Sequence, residues 1–164
     1  MAGDVGSPEH CRAIVAKAVS ELGGIDILVN NAAHQATFKS IEDISDQEWE
    51  LTFRVNIHAM FYLTKAAMAQ MRQGGAIINT ASINADAPNP TLLAYATTKG
   101  AIHNFTAGLA QLLAEKGIRV NAVAPGPIWT PLIPSTMPKE TVAEFGKNVP
   151  MKRPDNRPNS RPLT

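Results

Sequence analysis

Apolar residues recur at helical spacing over residues 8–23, and the period then changes. Ile14, Val15, Ala18, Val19 and Leu22 form one stripe, the repeat of an amphipathic helix. Ser7 stands where an N-cap belongs, Pro8 suits the first turn, Glu9 favours the positive end of the dipole, and Gly23-Gly24 end the run. The segment IDILVN, near 25–30, is short and continuously apolar, as a buried strand is. The alternation then repeats. A long helical pattern over 46–73, capped near Ser45 or Asp46 and closed by Gly74-Gly75, leads to AIINTAS, a strand near 76–81. A helix over 92–116, ended by Gly117, leads to IRVNAVAPG, a strand near 118–124, and then to a Pro- and Gly-rich loop. Short apolar strands alternating with long helices predict a three-layer α/β fold, with parallel strands and helices on both faces. Antiparallel pairing among these strands would contradict it.

Composition narrows the class without naming a function. The 164 residues leave room for one domain with a sizeable core. With 45% hydrophobic residues, 18% charged and a formal charge of +1, there is no basic excess for nucleic acid and no charged tail. No apolar run reaches the ~18–20 residues that span a bilayer. The opening MAGDVGSPEH lacks the basic and apolar regions of a signal peptide, so the cytoplasm is the expected compartment. A single cysteine, Cys11, excludes an internal disulfide and a multi-cysteine zinc site. No repeat, linker or low-complexity tract interrupts 1–154, which reads as one domain.

Candidate chemistry sits where strands end, the edge at which open α/β sheets bind ligands. Asn30-Asn31 follow the first strand and Ser82 the second, while Pro125-Gly126 follow the third. Tyr95 and Lys99 lie one helical turn apart in YATTK and so share a face. Such pairs are common, and alone they mean little. A free phenol has a pKa of ~10, and a nearby ammonium favours the phenolate, so Lys99 is placed to bring Tyr95 toward a working acid–base range. Asn56 lies mid-helix, where Asn is a mediocre helix former. His58 and His103 have no evident partner in the sequence.

Taken in order, LVNNAA, Asn56, NTAS ending at Ser82, YATTK and RVNAVAPGPIWTPL resemble the short-chain dehydrogenase/reductase family. The resemblance runs from about Gly3 to Arg153. Its wording in FYLTKAA, YATTKGAI and VAPGPIWTPLIPST is closest to bacterial members of general-stress type. It implies a partial Rossmann-like, doubly wound parallel sheet and an oxidoreductase that moves a hydride between NAD or NADP and a small alcohol or carbonyl substrate. Ser82 would hold the substrate oxygen, Tyr95 would exchange its proton, and Lys99 would assist and bond the nicotinamide ribose. Asn56 would hold a water that relays protons. For the cofactor, Asp4 and Val5 would touch the adenine, and Asn31, Ala32 and Ala33 would lie along the adenosine ribose. Pro125, Gly126 and Ile128 would flank the nicotinamide, with Thr130 reaching the carboxamide or phosphates. No nucleic acid, membrane or metal is implied. The long helices 46–73 and 92–116 would pair with a second copy, as in family dimers and tetramers.

Two features depart from the family pattern. The phosphate loop T-G-x-x-x-G-x-G does not occur in the sequence, and the resemblance places it about sixty residues before Met1. A chain that cannot hold a cofactor, acting as a non-enzymatic binding module, is the alternative reading. The ending Asp155 to Thr164 is polar and Pro-rich, where relatives start a helix leading to a last strand. It reads as a disordered tail. With codons chosen to fit, removing one nucleotide from a family-like Gly-Gln-Pro-Ala-Glu-Leu-Ala-Pro-Ala-Tyr ending yields all of residues 155–164, so a frameshifted tail is expected.

Overall fold

The computed structural model describes residues 1–156; residues 157–164, most of the tail read as frameshifted, lie outside the described residues. Two compact units are present, Met1–Ala124 and a second beginning at Pro125. The division falls at Pro125-Gly126-Pro127, where prolines have no N–H with which to continue a strand ladder.

In the first unit, α1 (Pro8–Leu22) starts at Ser7, whose hydroxyl accepts from the His10 N–H at 3.2 Å. It ends at Gly23, where φ is 81° and the N–H donates to the Val19 carbonyl at 2.9 Å. Such an N-cap is worth about 1 kcal/mol. The strands β1 (Ile27–Asn30), β2 (Ala76–Thr80) and β3 (Arg119–Val123) pair in that order, both pairings parallel. The expected parallel α/β architecture is therefore present.

The helix expected over 46–73 is divided. Helix α2 (Asp46–Phe53) is capped by Ser45, whose hydroxyl accepts from the Glu48 N–H at 3.2 Å. A five-residue π turn, Arg54–His58, follows, and α3 (Ala59–Met68) completes the run. A π turn inserts one residue into the ladder and re-aims the side chains on it. Here the residue turned inward is Asn56, 2% exposed. Helix α4 (Leu93–Leu113) is followed by a single 3-10 turn that ends at Gly117, φ 64°.

One face of the sheet packs on α3 and α4. Ile77, Leu113, Ile118 and Val120 form its core, flanked by Leu28, Met68 and Leu109. A second cluster joins Met60, Ala81 and Ile102. The helix layer expected on both faces is seen on this one. Register places Ile27, Val29 and Val123 on the other, and they remain 64%, 55% and 48% exposed; α1 packs against α3.

Two asparagines tie the sheet to the helices. Asn30 and Asn79 are register partners. Asn30 Nδ2 donates to Asn79 Oδ1 at 2.9 Å and to Thr64 Oγ1 of α3 at 3.2 Å, and Asn79 Nδ2 donates to Thr106 Oγ1 of α4 at 3.0 Å. Left unpaired, the buried Asn79 amide would cost about 1–3 kcal/mol.

In the second unit, β4 (Ile128–Trp129) pairs in parallel with β5 (Asp155–Asn156), with α5 (Leu132–Thr136) and α6 (Lys139–Glu144) between them. The tail expected to be unstructured from Asp155 thus begins with a two-residue strand, Asp155 N donating to the Pro127 carbonyl at 2.9 Å. Such a bridge uses backbone groups alone and leaves no period in the sequence. Among the described residues, no helix is long and apolar enough to cross a membrane.

Candidate active site

A strand end and a helix start supply the three central side chains. Ser82 follows β2 by two residues, in extended backbone, and caps a single 3-10 turn, its Oγ accepting from the Asn84 N–H at 3.2 Å. Tyr95 and Lys99 lie in the first two turns of α4. That helix is introduced by a short turn over Pro90–Leu92, capped by Asn89. Ser82 is a turn-capping serine and a neighbour of Tyr95 at once, close enough for its hydroxyl to pull the phenol pKa down.

Burial governs the electrostatics. It pushes the Tyr95 phenol above its ordinary value of 10, and the Ser82 hydrogen bond pulls the other way. This corrects the expectation that Lys99 lowers the phenol pKa. The Lys99 ammonium stands over the Tyr95 ring, 5.2 Å from its centroid, and Nζ donates to the Thr80 carbonyl at 2.7 Å. Lys99 is itself 2% exposed, and loss of water lowers its pKa from 10.5 to about 8.

Asn56 is committed to protein partners. Its Oδ1 accepts from the His34 N–H at 2.7 Å, and Nδ2 donates to the His34 carbonyl and to Thr98 Oγ1, both at 2.9 Å. Both N–H groups of the amide are used, so the side chain has none to offer the expected water. His34 Nε2 in turn lies 2.7 Å from Glu48 Oε1. His103 also has a partner, an exposed contact of 3.5 Å with Asp86.

The expected cofactor residues are placed as follows. Asn31 is exposed beyond β1, its Oδ1 accepting from the Thr80 hydroxyl at 3.1 Å. Thr80 thus joins Asn31 to Lys99. Ala32 is exposed and Ala33 half-buried. Asp4 and Val5 hold the turn before α1, Asp4 Oδ1 accepting from Gly6 N at 2.7 Å and the Val5 carbonyl from the buried Cys11 thiol at 3.1 Å. In the second unit, Pro125 and Gly126 precede β4, which contains Ile128, and the Thr130 carbonyl accepts from Ile133 N at 3.1 Å to start α5. Thr80 and Thr98 had no sequence signal. Each is an ordinary threonine with a partner far along the chain, Asn31 for Thr80 and Asn56 for Thr98.

The parallel α/β architecture is also what comparison with known proteins finds. The family model for short chain dehydrogenases matches residues 1–141, and the chain belongs to that family. It is 58% identical over 154 residues to General stress protein 39 of Bacillus subtilis (strain 168), covering 94% of this chain and 54% of that protein. It is 53% identical over 150 residues to NADPH-dependent aldehyde reductase 1, chloroplastic, of Arabidopsis thaliana, covering 92% and 52%. Among solved structures, a short chain dehydrogenase from Burkholderia cenocepacia J2315 in complex with NADP superposes with a TM-score of 0.86 at 29% identity, over 95% of this chain and 63% of that one. The chain spans about half the length of the curated relatives it matches.

Proposed function

We propose that this chain carries the acid–base half of an NAD(P)-dependent oxidoreductase interconverting a small alcohol and a carbonyl compound. The observation that carries the reading is the convergence of Ser82, Tyr95 and Lys99, with Ser82 acting on the Tyr95 phenol and the Lys99 ammonium over its ring. Bound nicotinamide supplies or accepts the hydride. Ser82 holds the carbonyl oxygen, and Tyr95 delivers the proton that the nascent alkoxide needs. The phenol is protonated at neutral pH, the state from which reduction draws its proton. Lys99 sets a positive charge beside the phenolate that proton transfer leaves. Asn56 anchors the loop after β1.

The residues present fit part of a dinucleotide. Asn31, exposed at a strand end and linked through Thr80 to Lys99, is proposed to face the cofactor with Ala32 and Ala33, and Asp4 and Val5 to face its adenine. For the second unit, taken by itself, Pro125, Gly126, Ile128 and Thr130 are proposed as cofactor contacts. A pyrophosphate needs backbone N–H groups at a helix start, and the sequence holds no T-G-x-x-x-G-x-G run. The second reading is a chain that binds no cofactor and acts as a binding module.

Titration with NADH and NADPH, followed by nicotinamide fluorescence, separates the two. Saturable binding is expected, and its absence with both leaves only the second reading.

The groove between α3 and α4 is proposed to receive the same groove of a second copy. Its volume is about 350 Å³, and Phe61, Met68, Phe105, Leu109 and Leu112 line it. Phe61 and Leu112 are 46% and 73% exposed, an apolar face that pairing would bury. Light scattering is expected to give at least a dimer, and a clean monomer refutes the pairing.

A further inference from the structure

Thr98 stands between Tyr95 and Lys99 on α4 and is wholly buried. Its hydroxyl makes two bonds. It donates to the Tyr95 carbonyl at 2.7 Å and accepts from Asn56 Nδ2 at 2.9 Å. Asn56 is fixed in turn by both backbone groups of His34, three residues beyond Asn31. The π turn carries Asn56 inward to make these contacts. One hydroxyl therefore joins the loop after β1, the π turn and the first turns of α4.

We propose that Thr98 is a positioning residue, whose hydroxyl locks the start of α4 to Asn56 and so fixes where Tyr95 and Lys99 stand. The role rests on reading Tyr95 and Lys99 as the acid–base pair, but the clamp is a property of the chain without cofactor. Serine keeps both bonds. Valine has nearly the same shape and no hydroxyl, leaving an Asn56 N–H buried without its acceptor.

The test follows the Lys99 ε-carbon against pH by NMR in the wild-type chain, Thr98→Ser and Thr98→Val, the resonance being assigned with Lys99→Met. The wild-type midpoint is expected at about 8. Thr98→Ser should match it, and Thr98→Val should move upward by about one unit or more, toward an ordinary lysine, as water reaches Nζ. A folded Thr98→Val chain with the wild-type midpoint overturns the proposal. So does Thr98→Ser moving as far as Thr98→Val, because packing and not the hydroxyl would then be at work. Should Thr98→Val fail to fold, hydrogen exchange in the wild-type chain decides: slow exchange of the Asn56 Nδ2 protons is expected, and exchange at the solvent rate overturns the clamp. Neither readout needs NADH or NADPH. Failed cofactor binding beside the expected Lys99 shift refutes the functional reading and upholds the clamp.

Discussion

Tyr95→Phe is expected to slow carbonyl reduction by about 10²–10⁴-fold, the usual share of a positioned proton donor. The substitution removes one oxygen and keeps the ring over which Lys99 stands at 5.2 Å. Ser82 loses a partner but retains its bond from the Asn84 N–H. Packing and the Lys99 position therefore survive, and affinity for NADH or NADPH should change by no more than about twofold. Steady-state kinetics with an aldehyde, beside the fluorescence titration, checks both halves. A loss smaller than about tenfold would show that the phenol is not the proton donor. Affinity falling in step with turnover would make Tyr95 a binding residue instead.

Lys99→Met is expected to abolish a rise of stability with pH. In the unfolded chain a lysine titrates near 10.5, while folded Lys99 releases its proton at about 8. Between those values the unfolded state binds more protons, so wild-type stability rises as pH climbs through the window. Below it the cost of the buried ammonium is fully present, about 3 kcal/mol from the size of the shift. Methionine keeps the apolar stem and drops the charge. The variant should therefore unfold at higher urea near neutral pH, and the wild type should gain about 3 kcal/mol on it by pH 10.5. Tyr95 acts in the opposite sense: its raised pKa withdraws stability above pH 10. That effect is common to both chains and largely cancels in their difference. Urea unfolding at neutral, intermediate and high pH measures the gap. A gap that stays constant contradicts the burial argument. Stability gained in this way would be lost function, since the same charge is assigned to the site.

The elements that were legible in the sequence carry their signals locally. Ser7, Gly23 and Gly117 mark helix ends through their own side chains or backbone angles. The strands, short and apolar between them, fell within two residues of their expected limits. The break in the long helix was hidden. A π turn adds one residue without changing apolar composition, and its anchor, His34, lies 22 residues before Asn56. Ser82, Tyr95 and Lys99 could be singled out from spacing and resemblance, but the direction of the Tyr95 shift could not. Spacing places an ammonium nearby, whereas desolvation depends on how the whole of α4 settles against the sheet. Thr98 was hidden for a similar reason. Inside a helix a threonine looks like filler, and the donor that gives it meaning is 42 residues upstream.

Deuteride transfer decides whether Ser82, Tyr95 and Lys99 serve hydride chemistry. The chain is incubated with an aldehyde panel and NADH or NADPH carrying deuterium at both positions of the nicotinamide C4, and the alcohols are read by mass spectrometry. The expected result is one deuterium on the former carbonyl carbon with the wild-type chain, and a near-complete loss of that label with Tyr95→Phe. Saturable cofactor binding with no labelled alcohol from any aldehyde, or equal labelling by wild type and Tyr95→Phe, would contradict the assignment of Ser82, Tyr95 and Lys99 as an acid–base site for hydride transfer.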